Sequence, residues 1–234
     1  MNLAPFVILV GLSGMAIAAP RVVLDPGHGG ANTGAKGTTA RYEKQLTLAI
    51  ADQLAVRLRG HGVDVLETRT GDQSRTLRER VAFANHARAD LFVSIHCNAS
   101  PTRTQRGFES YVLTARGIDI DGRALRADVG TPRPGLDPDV ALVLDDVERG
   151  AAQWEAADLA TRVQAHLRDA RGTSGDRGVR QDAHHVLLGA TMPAILVEVG
   201  FADHPIEGKE LADPAVQAQI VDAMARAIVD QLAE

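Results

Sequence analysis

Two histidines and two glutamates occupy positions from which they could do chemistry. His28 lies in the glycine turn of VVLDPGHGG, His96 ends the apolar run LFVSI, Glu198 interrupts AILVEVGF, and Glu43 opens the periodic stretch EKQLTLAIADQLAVRLRG. Two imidazoles and one carboxylate with a position left open form a recurring catalytic zinc shell, although other transition metals accept the same donors. Water in the open position is acidified towards a pKa of about 7, and a second carboxylate can carry its proton to a leaving nitrogen. Glu198 is the strongest of the four clues. A glutamate amid Ile195, Leu196, Val197 and Val199 is costly to bury unless its charge is paired or used. Each residue also has an ordinary explanation: a turn histidine, a core histidine, a helix-start carboxylate, a structural ion pair. Chance placement of all four together is the weaker account.

The elements that must position these groups follow from hydrophobic period and turn chemistry. Val22–Leu24 is an apolar β-branched run ended by Asp25-Pro26, so His28 falls just past the carboxyl end of a strand. Leu46, Ala49, Ile50, Leu54 and Leu58 mark one face of a helix starting at Tyr42 and stopping near Gly60 and Gly62. Val63–Thr68 alternates as a second strand, and Leu77, Val81 and Ala84 mark a second helix. Leu91–Ile95 and Gly107–Thr114 read as strands, Trp154–Ala170 as a helix, and His185–Leu188 and Ala194–Val199 as the last strands. Pro214–Leu232 closes the chain as an amphipathic helix. Ala115–Gly150, rich in Asp, Arg, Pro and Gly, reads as an irregular insertion of the kind that covers or shapes a cleft. The expected fold is α/β: a single domain with a mostly parallel central sheet, helices on both faces, and the site at the carboxyl edge of the strands.

Composition narrows the function class. The net charge of −5, with 25 Lys+Arg against 30 Asp+Glu and no basic block, gives no footprint for nucleic acid. Residues 1–19, uncharged and apolar with Ala16 and Ala18 spaced as in an A-x-A site, are expected to be a signal peptide cleaved after Ala18 or Ala19. Residues 20–234 would then form the catalytic domain, periplasmic or secreted, with no stable membrane span after cleavage. The single cysteine, Cys97, lies in an apolar run and reads as a buried, inert thiol.

Four blocks carry a resemblance: VVLDPGHGG, EKQLTL, TRTGDQSRTLRERVAFANHARADLFVSIHCNAS and MPAILVEVGF. Together, and in this order, they resemble the zinc-dependent N-acetylmuramoyl-L-alanine amidases that cut bacterial cell wall. The resemblance implies one zinc ion held by His28, Glu43 and His96, with Glu198 as the catalytic carboxylate. It also implies peptidoglycan as substrate, cleaved at the amide between N-acetylmuramic acid and the L-alanine of the stem peptide. Arg180 resembles a cleft-side residue able to receive a peptide carboxylate, and Asn98 is a further candidate for substrate binding. Certain relatives carry an inhibitory helix where Ala115–Gly150 falls, so residues 119–148 are a candidate cap and a protein activator a candidate partner. The chain departs from the family pattern at Asp203-His204, where relatives often carry Ser-Asn; His204 is expected to be a loop residue. His184 and His185 are expected to be structural. The rival readings are a zinc peptidase on the same scaffold and a catalytically dead peptidoglycan-binding module.

Overall fold

The computed structural model describes residues 18–113, 135–182 and 186–234. Six strands form one sheet: β1 (Arg21–Pro26), β2 (Asp64–Glu67), β3 (Leu91–Asn98), β4 (Phe108–Leu113), β5 (Asp176–Asp182) and β6 (Ala194–Phe201), in the order β2-β1-β3-β6-β4-β5. All neighbours are parallel except β4 and β6. The helices are α1 (Glu43–Gly60), α2 (Leu77–Ala87), α3 (Pro138–Arg171), the short α4 (Glu207–Glu210) and α5 (Pro214–Leu232).

Strand alternation divides the core between the two faces of the sheet. Val22, Leu24, Val93, Ile95, Ile195 and Val197 face α1, α3 and α5, whose Leu46, Ile50, Leu159, Val163, Met224 and Ile228 close the larger core. Val23, Phe92, Ala194 and Leu196 face the other way, towards Ala84 of α2 and the turn carrying Val186 and Leu187. Helices therefore cover both faces as expected, with α1, α3 and α5 on one and α2 on the other. Local signals agree with the elements they start. Thr76 Oγ1 accepts from Glu79 N (3.2 Å) while Glu79 Oε2 accepts from Thr76 N (2.7 Å), a capping box that opens α2.

Two expectations need correction. Val186–Gly189 is a turn, and the strand lies earlier, at Asp176–Asp182. The apolar VLL packs into the smaller core as a turn, whereas β5 is a polar, half-exposed strand at the sheet edge and shows no buried alternation to read. The insertion expected to be irregular is helical from Pro138, because α3 runs for 34 residues rather than starting at Trp154. Proline suits a first helical position. The amino-terminal half of α3 leaves Val140, Val147 and Trp154 exposed, so packing does not impose the one-sided pattern that sequence reading needs. Residues 114–134, His184 and His185, and nearly all of the expected leader lie outside the described residues.

Candidate metal centre

The His28 turn is built from below by buried charge. Asp25, fully buried at the end of β1, accepts from Arg80 Nη1 (2.7 Å), from Ser94 Oγ (2.8 Å) and from Thr68 Oγ1. Arg80 also donates to the carbonyls of Pro26 (2.9 Å) and His28 (2.7 Å). Arg69 donates to the carbonyls of Pro26 (2.9 Å) and Gly27 (2.8 Å), and Thr47 Oγ1 donates to Gly27 as well (2.9 Å). Three successive carbonyls are thereby tied to two arginines. That network can hold His28 at φ 62°, a conformation costing about 1–3 kcal/mol for a residue with a side chain.

The ring orientation is set in turn. Gly34 N donates to Asn32 Oδ1 (3.2 Å), which identifies that atom as an acceptor, so His28 Nδ1 (2.9 Å away) must carry the proton it shares with Asn32. Nε2, the nitrogen a cation can then take in place of a proton, points to Glu43, lying 2.9 Å from its Oε1. Nδ1 of His96 lies 2.9 Å from the same oxygen. Cys97 N (3.0 Å) and Ala35 N (2.9 Å) donate to Glu43 Oε1 and Oε2, fixing the carboxylate. Ligand atoms in a tetrahedral shell with bonds of about 2.0–2.1 Å stand about 3.3 Å apart, so each imidazole nitrogen needs to part from Glu43 Oε1 by only tenths of an ångström. The ligand atoms of His28, Glu43 and His96 all lie within 4.8 Å of one another, the one such group among the described residues. Glycine is required at two points. A Cβ on Gly27 would sit 2.4 Å from the His96 ring, and one on Gly34 would sit 2.5 Å from Glu43 Oε2.

The electrostatics agree with a cation site. Burial works to raise the Glu43 carboxyl, but hydrogen bonds from His28 and His96 hold it well below the usual carboxylate range. Burial works to lower His28, yet the hydrogen bond and charge of Glu43 lift it above its ordinary value. Glu198 behaves in the opposite way: burial, then the charges of Glu43 and Glu109, push it well above the usual range. Its Oε2 is enclosed with no hydrogen-bond partner. Glu198 is the register partner of His96 on β3 and of Glu109 on β4, so all three side chains leave the sheet on one face. A cleft of about 240 Å³ beside the imidazoles is lined by Asn32, Arg75, Leu77 and Val186.

Other expected residues fall as follows. Asn98 donates to Glu109 Oε1 (2.7 Å) and its Oδ1 accepts from Ala99 N (2.8 Å), so both ends of its amide are engaged. Arg180 Nε lies 2.6 Å from Glu109 Oε2, and the arginine side chain is about half exposed. His204 Nδ1 accepts from Glu207 N (3.1 Å), as a loop residue capping the short α4. Cys97 is buried, and burial raises its thiol pKa. Sequence reading missed Asp25, Arg69, Arg80 and Glu109. The signal for Glu109 was present: it interrupts GFESYVL as Glu198 interrupts AILVEVGF.

Comparison with known proteins places this geometry in context. The profile of the family described as N-acetylmuramoyl-L-alanine amidase matches residues 22–230. The amidase AmiA of Escherichia coli is 33% identical over 216 residues, covering 89% of this chain and 74% of AmiA. Among solved structures, AmiC2 of Nostoc punctiforme superposes with a TM-score of 0.70 at 30% identity, over 92% of this chain and 98% of that one. An amidase from Clostridium difficile 630 gives 0.71 at 28% identity, over 93% and 99%. Among the described residues no helix is long and apolar enough to cross a membrane.

Proposed function

The chain belongs to the N-acetylmuramoyl-L-alanine amidase family and is a peptidoglycan hydrolase, and from that premise we propose which of its residues do the work. His28, Glu43 and His96 hold one zinc ion. The residues fit it: two neutral-capable imidazoles and a carboxylate kept ionised converge, and the orphaned Glu198 Oε2 lies on the same face. Bound there, zinc supplies Lewis acidity to the scissile carbonyl and to water. Asn32 holds His28 in the tautomer that leaves Nε2 free. Glu198 takes the proton of the attacking water at Oε2 and returns it to the L-alanine nitrogen as the amide breaks. A carboxyl whose pKa is lifted towards the working range suits both halves of that transfer. Arg180, anchored through Nε, offers its outer nitrogens to a carboxylate of the stem peptide.

The observation that carries this reading is the approach of two imidazole nitrogens, 2.9 Å each, to one oxygen of Glu43. Metal analysis of the purified protein should find about one zinc per chain, lost in His96→Ala. Digested cell wall should release peptides that begin with free L-alanine. Products cut between amino acids would point to the peptidase instead, and intact wall to the binding module.

Export and regulation extend the proposal. Residues 1–19 act as a leader, testable by sequencing the amino terminus of the exported protein. Residues 119–148 cap the cleft until an activator displaces them. The exposed apolar residues Val140, Leu144, Val147 and Trp154 on α3 support a partner on that helix. Removing residues 119–148 should raise basal activity on purified wall; unchanged activity in a folded protein removes the cap.

A further inference from the structure

Away from the metal centre, the edge strand β2 carries a carboxyl where its pattern calls for an apolar side chain. Strand alternation puts Val65 and Glu67 on one side, and Val65 is buried in the larger core against α1. Glu67 is the register partner of Leu24, which is fully buried. The Glu67 side chain is itself only 6% exposed. A carboxylate in such a place is costly unless its charge is paired or removed.

The pairing is incomplete. Arg59 of α1 gives its shorter bond, from Nη2, to the Val65 carbonyl (2.9 Å) and stands 3.3 Å from Glu67 Oε1. Glu67 Oε2 is closed off from solvent and no donor reaches it. The other group in hydrogen-bonding contact with Glu67 is a second carboxyl, Asp52 of α1. Ionised carboxylates only accept, so two of them keep such a contact only with a proton between them. The remaining neighbours do not relieve the pair. β1 presents Leu24, and the turn after β2 presents Arg69, whose donors go to the carbonyls of Pro26, Gly27, Lys44 and Gly71. The charge of Asp52 acts on that buried arginine as well.

We propose that Glu67 and Asp52 form a one-proton latch between β2 and α1, closed in acid and opened when the shared proton leaves to solvent as the surroundings turn neutral. Burial, then the hydrogen bond and charge of Asp52, push the Glu67 carboxyl above its ordinary value, with Arg59 pulling against them. A carboxyl raised in this way contributes stability that is complete below the unfolded value of about 4.3 and is lost as pH rises through the folded value. The strand it fastens has little else to hold it: β2 is four residues long, lies at the edge of the sheet and pairs with β1 alone. It leads straight into Thr68 and Arg69, which bind Asp25 and the carbonyls of Pro26 and Gly27. The latch therefore lies at the root of the network that holds the His28 turn, and it acts whichever bond the enzyme cuts.

The test compares the full chain with Asp52→Asn and with Glu67→Gln, all in excess zinc, between pH 4.5 and 8. Either amide donates to the carboxylate opposite at every pH, so each variant keeps the contact without needing the proton. The melting temperature of each variant should gain on that of the parent by about 2–4 °C across this range, the shift that one pKa unit's worth of linkage gives a chain of this size. Glu198 and the metal centre are the same in all three chains, so their own titration cancels in the difference. A local reading accompanies the melts. Amide exchange in β2 of the parent, relative to Asp52→Asn at the same pH, should quicken at least threefold as pH rises, while exchange in β4 keeps a constant ratio. A melting difference that stays flat with pH, a gain in one variant and not the other, or exchange that quickens equally in β2 and β4 would overturn the latch.

Discussion

Two arginine–carboxylate clusters flank the metal centre, and they are built for different ends. In one, Asp25 and Arg80 have side chains 0% and 4% exposed, and the arginine's donors are aimed at the carbonyls of the His28 turn. In the other, Glu109 is 2% exposed, but its partners Arg177 and Arg180 are 28% and 46% exposed. Charge-assisted hydrogen bonds serve both. The closed cluster consumes the donors of its arginine to hold a strained backbone, while the open one is anchored to Glu109 through Nε of Arg180, whose side chain stays about half exposed. Burial of the arginine, rather than the presence of an ion pair, separates scaffold from candidate recognition group.

The largest test of that division concerns neither cluster. Glu198→Gln should lower turnover on purified cell wall by about 10²–10⁴-fold with zinc content unchanged, since the loss of a general acid–base costs that much. If turnover fell by less than tenfold, the proton carrier would have to be sought in the open cluster. Next comes the matched pair of arginine variants. Arg80→Met strands a buried Asp25 charge and should cost about 3–5 kcal/mol in chemical denaturation. Arg180→Met should cost no more than about 1 kcal/mol, because Arg177 still pairs with the buried Glu109 and Arg180 itself is half exposed, while raising KM for muropeptides. Equal losses of stability would erase the distinction between the clusters.

Smaller effects probe the closed side further. Asn32→Ala removes the acceptor that sets the His28 tautomer and should weaken zinc binding by about 10–100-fold, read by competition with a chelator. The smallest expected effect is a pH dependence in zinc-stripped protein. Glu198 holds its proton more tightly folded than unfolded, so its contribution to stability is present in full below the unfolded value of about 4.3 and is lost as pH rises towards the folded value. The melting temperature of Glu198→Gln should therefore gain on that of the parent chain as pH rises above about 4.3. A gap that stays constant would mean that burial does not shift Glu198.

Much of the site could be read in one dimension because its residues sit at junctions with strong local signals. His28 follows a β-branched run cut by Pro26, Glu43 opens a helix with a clean period, and His96 and Glu198 interrupt buried strands. Arg69, Arg80 and Glu109 were not assigned, for their partners lie distant in sequence: Asp25 and Arg80 are 55 residues apart, Glu109 and Arg177 68. The polar edge strand β5 and the exposed first half of α3 escaped for the complementary reason, that neither buries a regular face.

The sequence by itself determined the donor types, the strand-end and helix-start positions they occupy, and the α/β order of elements, because backbone period and turn chemistry are local. Only the tertiary structure decided that β4 runs against β6, that two buried arginines hold the carbonyls of the turn from Pro26 to His28, and that Asp203, Ser100 and Thr38 share one cavity wall. Those depend on which distant segments pack together, where the cost of stranding a buried charge or hydroxyl is settled by neighbours that no local pattern records.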